Sequence, residues 1–152
     1  MGVLTGISRH GRPQAPMETV DRVIVTPEHG IAGDYRGAMR GGPYRRQVTL
    51  IEREDWDAAM SEVGRTLPWE ARRSNLLVAG IDLPHLRGTR LRIGCEVILQ
   101  VTRETDPCER MDALVPGLRA ALSPDWRGGV CSFVIRGGVI AVGDTVAIED
   151  PE

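Results

Sequence analysis

The sequence predicts a mainly β protein: a β-barrel-like fold with one or two short helices. Three observations carry that prediction. Short apolar runs rich in Val and Ile recur between Gly and Pro punctuation, as strands separated by turns require. Two segments share one alternating pattern around a glycine, Leu91-Arg-Ile-Gly94-Cys-Glu-Val97-Ile-Leu99 and Ile140-Ala-Val-Gly143-Asp-Thr-Val146-Ala-Ile148. Only one stretch has a clear helical period, so the sheet has to dominate. The 152 residues suit a single domain over 1–152, long enough to bury a core without disulfide or metal staples.

In chain order, Val3–Ser8 and Val20–Thr26 read as strands closed by Gly11-Arg-Pro13 and by Pro27. Residues 30–43 hold too few apolar side chains for a core element and read as a long loop, of the length that is often functional. Gln47–Ile51 resumes a strand. Arg53–Gly64 is the best helix: Trp56, Ala59, Met60 and Val63 fall at i, i+3, i+4 and i+7, and Gly64 can close it. Asn75–Ala79 is a buried strand by its continuous apolar run. Asp112–Leu122 reads as a second helix, with Pro116 confining its regular part to the residues after it. Each of the two patterned segments reads as a hairpin, and Val130–Ile135 followed by Gly137-Gly138 and Val139–Val142 adds another reversal.

Composition excludes several chemistries. All 19 basic residues are arginine, so Schiff-base or pyridoxal-phosphate (PLP) catalysis, a P-loop lysine and a lysine base have no residue to use. Arginine stays charged and grips oxyanions with a planar fork, which points its cationic work toward anion binding. A net charge of −2 argues against a general nucleic-acid or membrane-surface binder. No apolar run approaches the ~20 residues of a membrane span. Cys95, Cys108 and Cys131 match neither a zinc pattern nor a disulfide framework; free thiols imply a reducing compartment, and the cytoplasm is the expected location.

Four constellations could carry chemistry. Arg36, Arg40, Arg45 and Arg46, interleaved with Gly37, Gly41 and Gly42, read either as an oxyanion site or as a solvated loop. Arg72-Arg73-Ser74-Asn75 leads into a buried strand, where Asn75 reads as a hydrogen-bonding strand-end group. Asp106-Pro107-Cys108-Glu109-Arg110 places a thiol behind a rigid proline at a strand end; it is either a reactive thiolate favoured by arginine or a small buried hydrophobe. Asp34 reads as a metal ligand or a loop-locking residue. Cys95 falls at a hairpin apex, and Cys131 alternates with Phe133 and Ile135 on a face expected to point into the barrel. His10, His29 and His85 read as surface loop residues, and the helix dipole alone explains Glu52, Glu54 and Asp55.

An ordered set of segments resembles the MOSC domain family, the domain at the C-terminus of molybdenum cofactor sulfurases. These are Gly30-Ile-Ala-Gly-Asp-Tyr35, Arg46-Gln-Val-Thr-Leu-Ile-Glu52, Arg73-Ser-Asn-Leu-Leu-Val-Ala-Gly-Ile-Asp-Leu83, Leu86-Arg-Gly-Thr-Arg-Leu-Arg-Ile-Gly94, Pro107-Cys108, and Arg127-Gly-Gly-Val130 with Gly138-Val-Ile-Ala-Val-Gly-Asp144. The resemblance implies a β-barrel-like fold with one functional cysteine, matched by Cys108, that carries sulfur as a persulfide or ligates the molybdenum of a molybdopterin-type cofactor. It implies cofactor-binding positions at Arg73 and Asn75, and less directly at Arg36, Arg45, Arg46 and Asp34, with the pterin phosphate as the anionic ligand. The chain has no PLP-binding desulfurase domain. The expected partner is therefore a separate cysteine desulfurase or molybdoenzyme, with any activity of the chain itself sulfurtransferase-like.

Overall fold

A computed structural model describes residues 1–38 and 46–149. Among them, β1 (Gly2–Arg9), β5 (Val48–Glu52), β6 (Leu76–Ala79), β7 (Arg90–Ile93), β8 (Val97–Glu104), β9 (Val130–Arg136) and β11 (Thr145–Glu149) form a barrel in the order β11-β7-β8-β9-β5-β6-β1. Pairing of Gly2 with Val146 and Val3 with Thr145 closes it, which leaves one strand, β2 (Glu18–Val20), on its rim. Neighbouring strands are antiparallel except β5 and β6, which run parallel, as a helical crossover between them allows. A small second sheet holds β10 (Gly138–Ala141), β3 (Arg22–Thr26) and β4 (Gly30–Ile31).

Alternation explains the core. Leu4, Leu50, Leu76, Val78, Leu91, Ile93, Leu99, Val101, Val130 and Val134 fill the barrel, all of them buried. The outward residues of β5 and β6, Ile51 and Leu77, start a second core. It is completed by α1 (Arg53–Val63), α2 (Glu109–Leu114) and α3 (Leu118–Leu122) through Trp56, Met60, Met111 and Leu118. Gly64 ends α1 in the left-handed conformation (φ 69°) and returns its N–H to Met60 and Ser61 carbonyls.

Three expectations need correction. The predicted second helix is two helices, since helix also precedes Pro116: Val115 is extended, Gly117 takes φ 91°, and the Asp112 carboxylate accepts the Arg119 N–H of α3. Ile140–Ile148 is not a hairpin like Leu91–Leu99. Its first strand pairs with β3 and its second with β7 and β1, joined by a turn in which Asp144 Oδ2 accepts the Ala141 N–H. Nor does β9 pair with β10. Local alternation carries no information on which distant strand is the partner.

Candidate functional site

Cys108 lies where β8 has left the barrel and α2 begins. Three backbone anchors fix it: Thr105 N–H bonds to Gly129 O (2.8 Å), Arg72 Nη2 donates to Thr105 O (2.9 Å), and Met111 N–H returns to Cys108 O (2.9 Å). Close approach here depends on Gly128, where a Cβ would stand 2.5 Å from Thr105 O and 3.1 Å from Arg72 Nη2. The Cys108 residue is half-buried, and its thiol makes no capping hydrogen bond to α2.

Arg72 is the residue that sequence reasoning passed over in favour of Arg73. It closes a 3₁₀ turn (Trp69–Arg72), is only 5% exposed, and has a buried Nε without a partner. Arg46 likewise buries an unpartnered Nε. Burial, and then the like charge of Arg46, push the Arg72 guanidinium down to about 10, while Cys108, Cys131 and Asp106 work in the opposite direction. Arg46 is lowered mainly by burial and sits within reach of the same two cysteines, and of Arg36 and Arg103. Two cations, each with a buried and orphaned donor, beside two thiols are a concentrated demand for an anion.

Cys131 is fully buried, but not inside the barrel. Val130 and Val134 take the inward positions of β9, so alternation turns Cys131 to the outer face. There its Sγ lies 3.3 Å from Thr105 Oγ1. A register shift between Val101 and Arg103, opposite Ser132 and Cys131, accommodates this geometry; bulges commonly re-aim side chains in this way. Cys95 is exposed at the β7–β8 turn.

The other predicted residues fall into two groups. Arg73 adopts φ 67°, a costly conformation for a residue with a Cβ, and donates to Ala15 O at 2.9 Å. Burial, then Arg110 and Arg36, lower its guanidinium. Arg36 is thus near both Arg46 and Arg73 and links the two neighbourhoods. Asp34 is buried and locks its loop by accepting the N–H groups of His10 (3.1 Å) and Gly37 (3.2 Å). Asn75 bridges strands: Oδ1 accepts from Thr49 N (3.0 Å) and Oγ1 (3.3 Å), and Nδ2 donates to Ser8 O (3.1 Å). Arg40 and Arg45 lie outside the described residues.

Contrary to the surface reading, His10 is buried; its Nδ1 stands 3.5 Å from Asp34, and burial lowers its pKa. Glu52 is also buried and accepts the Leu83 N–H, with its pKa raised to about 7 mainly by burial. Among the described residues no cluster of three His, Cys, Asp or Glu could by itself hold a metal ion, and no helix is long and apolar enough to cross a membrane.

Barrel and site together define a class: a small β-barrel domain that exposes one thiol beside buried arginines suited to an anion. The MOSC domain profile matches residues 10–147. The chain belongs to the MOSC domain family, and is therefore a molybdenum-cofactor-related domain. No curated protein sequence matches it at a significant level. Its fold is similar to that of YuaD from Bacillus subtilis, with a TM-score of 0.76 at 19% identity over 96% of this chain and 94% of that one. YiiM from Geobacillus stearothermophilus is also similar (TM-score 0.74, 17% identity, 99% of this chain, 76% of that one). So is YiiM from Escherichia coli (0.72, 19%, 100% and 71%). At these identities the likeness concerns the fold.

Proposed function

We propose that the domain holds a molybdopterin-type cofactor, with Arg46 and Arg72 taking its phosphate and Cys108 offering a thiolate to molybdenum. The observation that carries this reading is a pair of guanidiniums, Arg72 buried and Arg46 half-buried, each with a buried Nε that lacks a partner, beside the half-buried Cys108. The donor set fits the group: guanidinium forks match phosphate, and a thiolate is a soft ligand for a transition metal. Bound there, the cofactor would supply a redox-active metal. The chain's own part is to bind the anion, desolvate it and orient the thiol.

A second reading is favoured by the thiol's freedom from any capping bond. Here Cys108 attacks the outer sulfur of a donor persulfide, takes that sulfur and releases the donor as a thiol, with no net oxidation. The arginines then favour the anionic persulfide, and a separate desulfurase or molybdoenzyme is the partner. Purification from a host that makes the cofactor tests both readings. Molybdenum approaching one atom per chain supports ligation. Sulfur released by cyanide without molybdenum supports carriage, and the absence of both refutes the proposal.

A further inference from the structure

Binding and orientation leave Cys131 without a task, although it stands on the floor of the site. It pairs with Thr49 across β5 and β9, and Thr49 in turn holds Asn75, so these side chains share the outer face of the barrel wall. Its sulfur has polar contacts with Thr105 Oγ1 at 3.3 Å and Glu104 O at 4.0 Å, both on the segment that leads to Cys108.

That segment does not lead away. A Cβ at Gly128, on the approach to β9, would stand 2.5 Å from Thr105 O and 3.4 Å from Pro107 Cδ, so residues 105–107 curl over that approach. Cys108 follows at once and begins α2, with Arg46 and Arg72 within electrostatic reach of both thiols. Arg72, itself 5% exposed, keeps its unpartnered Nε beside them.

The chemistry of a carried sulfur gives this second thiol a use. The outer sulfur of a persulfide is sulfane sulfur, and an acceptor that needs sulfide requires two electrons more. A thiol held next to the carrier can supply them by forming a disulfide.

Resting on the carriage reading, we propose that Cys131 is the resolving thiol of Cys108. The Cys131 sulfur attacks Cys108 Sγ of the persulfide anion, and the new Sγ–Sγ bond forms as the bond to the outer sulfur breaks. That sulfur leaves as hydrosulfide, taking the proton of the Cys131 thiol. The two cysteine sulfurs are oxidised to the disulfide level and the carried sulfur is reduced to sulfide, with no outside oxidant. A dithiol reductant later resets the pair. Arg46 and Arg72 favour the departing anion. Sulfur is loaded on Cys108 alone. Full burial and the contacts with Thr105 and Glu104 restrain Cys131 at rest. A freshly loaded domain therefore keeps its sulfur until residues 105–108 shift.

The test uses the full chain in a Cys95→Ser background, which removes the exposed thiol. The protein is loaded anaerobically with inorganic polysulfide and desalted, and peptide mass spectrometry establishes labile sulfur on Cys108. On warming, free sulfide trapped with bromobimane should rise in step with a Cys108–Cys131 disulfide. Cys131→Ser and Cys131→Ala should hold the sulfane sulfur on the order of tenfold longer, the advantage of an internal nucleophile being lost, and still yield it to cyanide. The disulfide is read in protein that retains Cys131, so a poorly folded variant leaves the test intact. Loaded protein that releases no sulfide, releases it without the disulfide, or moves labile sulfur onto Cys131 would overturn the proposal and leave carriage standing. No labile sulfur on Cys108 would overturn carriage, and this step with it.

Discussion

Arg46 and Arg72 stand within electrostatic reach of each other, and each leaves a buried Nε without a hydrogen-bond partner. Left alone, such a pair is destabilising, since each guanidinium raises the cost of charging the other. A bound oxyanion converts that repulsion into two charge-assisted contacts. Stability of the fold should therefore respond to anions at this place.

Low-millimolar phosphate, compared with chloride at matched ionic strength, should raise the melting temperature. At a hundredfold excess over Kd the gain is about 2.7 kcal/mol, or roughly 5–10 °C for a domain of this size. Arg72→Met should unfold cooperatively in chloride, at a melting temperature lowered by the lost bond to Thr105 O, and lose most of the phosphate shift. A full shift in Arg72→Met would return the pair to a structural role.

Thiol labelling should follow burial. Cys95 is exposed, Cys108 intermediate and Cys131 buried, so a small alkylating reagent should modify the first two in the folded protein and Cys131 only on unfolding. Phosphate should slow Cys108 and leave Cys95 unchanged, because Cys108, unlike Cys95, lies beside Arg72 and Arg46. Peptide mass spectrometry after timed quenching reads all three sites. Equal slowing at Cys95 would argue against a local anion.

Glu52 predicts a pH dependence of stability. Its folded pKa is raised from 4.5 to about 7, chiefly by burial. Between those two values the folded state binds more protons than the unfolded one, so stability falls as pH rises through that window. Glu52→Gln can still accept the Leu83 N–H. It should flatten this slope and stabilise the protein above pH 7 by about 2–3 kcal/mol. Denaturant melts at pH 5 and pH 8 measure it; an unchanged slope would contradict the assignment.

Asn75 separates structure from ligand binding. Its side chain ties Thr49 of β5 to Ser8 of β1 from the start of β6. Asn75→Ala leaves several buried groups unpaired and should cost about 3 kcal/mol. In the protein that remains folded, the phosphate affinity should stay within a factor of about two, since among the described residues the side-chain hydrogen bonds of Asn75 go to Thr49 and Ser8 rather than to Arg46 or Arg72. A large loss of affinity with little loss of stability would instead make Asn75 a ligand.

Much of this organisation was legible from local pattern. The strands follow from branched apolar runs, α1 from the spacing of Trp56, Ala59, Met60 and Val63, and the loop position of Cys108 from Pro107 at a strand end. That Arg72 rather than Arg73 is the buried one was not legible. It depends on the left-handed backbone at Arg73, which ends the 3₁₀ turn and leaves Arg72, not Arg73, buried against Thr105 O. Cys131 was misplaced because its inward or outward direction is set by which β9 residues enter the barrel. His10 and Glu52 were misread because their burial comes from loops distant in sequence, around Asp34 and Leu83.

The central claim is that Cys108, and no other cysteine, is the chemical centre. The most direct measurement is the molybdenum and cyanide-labile sulfur content of four proteins purified side by side from a cofactor-producing host: wild type, Cys95→Ser, Cys108→Ser and Cys131→Ser. The account predicts that wild type and Cys95→Ser retain their load, that Cys108→Ser loses it entirely, and that Cys131→Ser keeps it to the extent that it folds. A loaded Cys108→Ser protein would contradict the account.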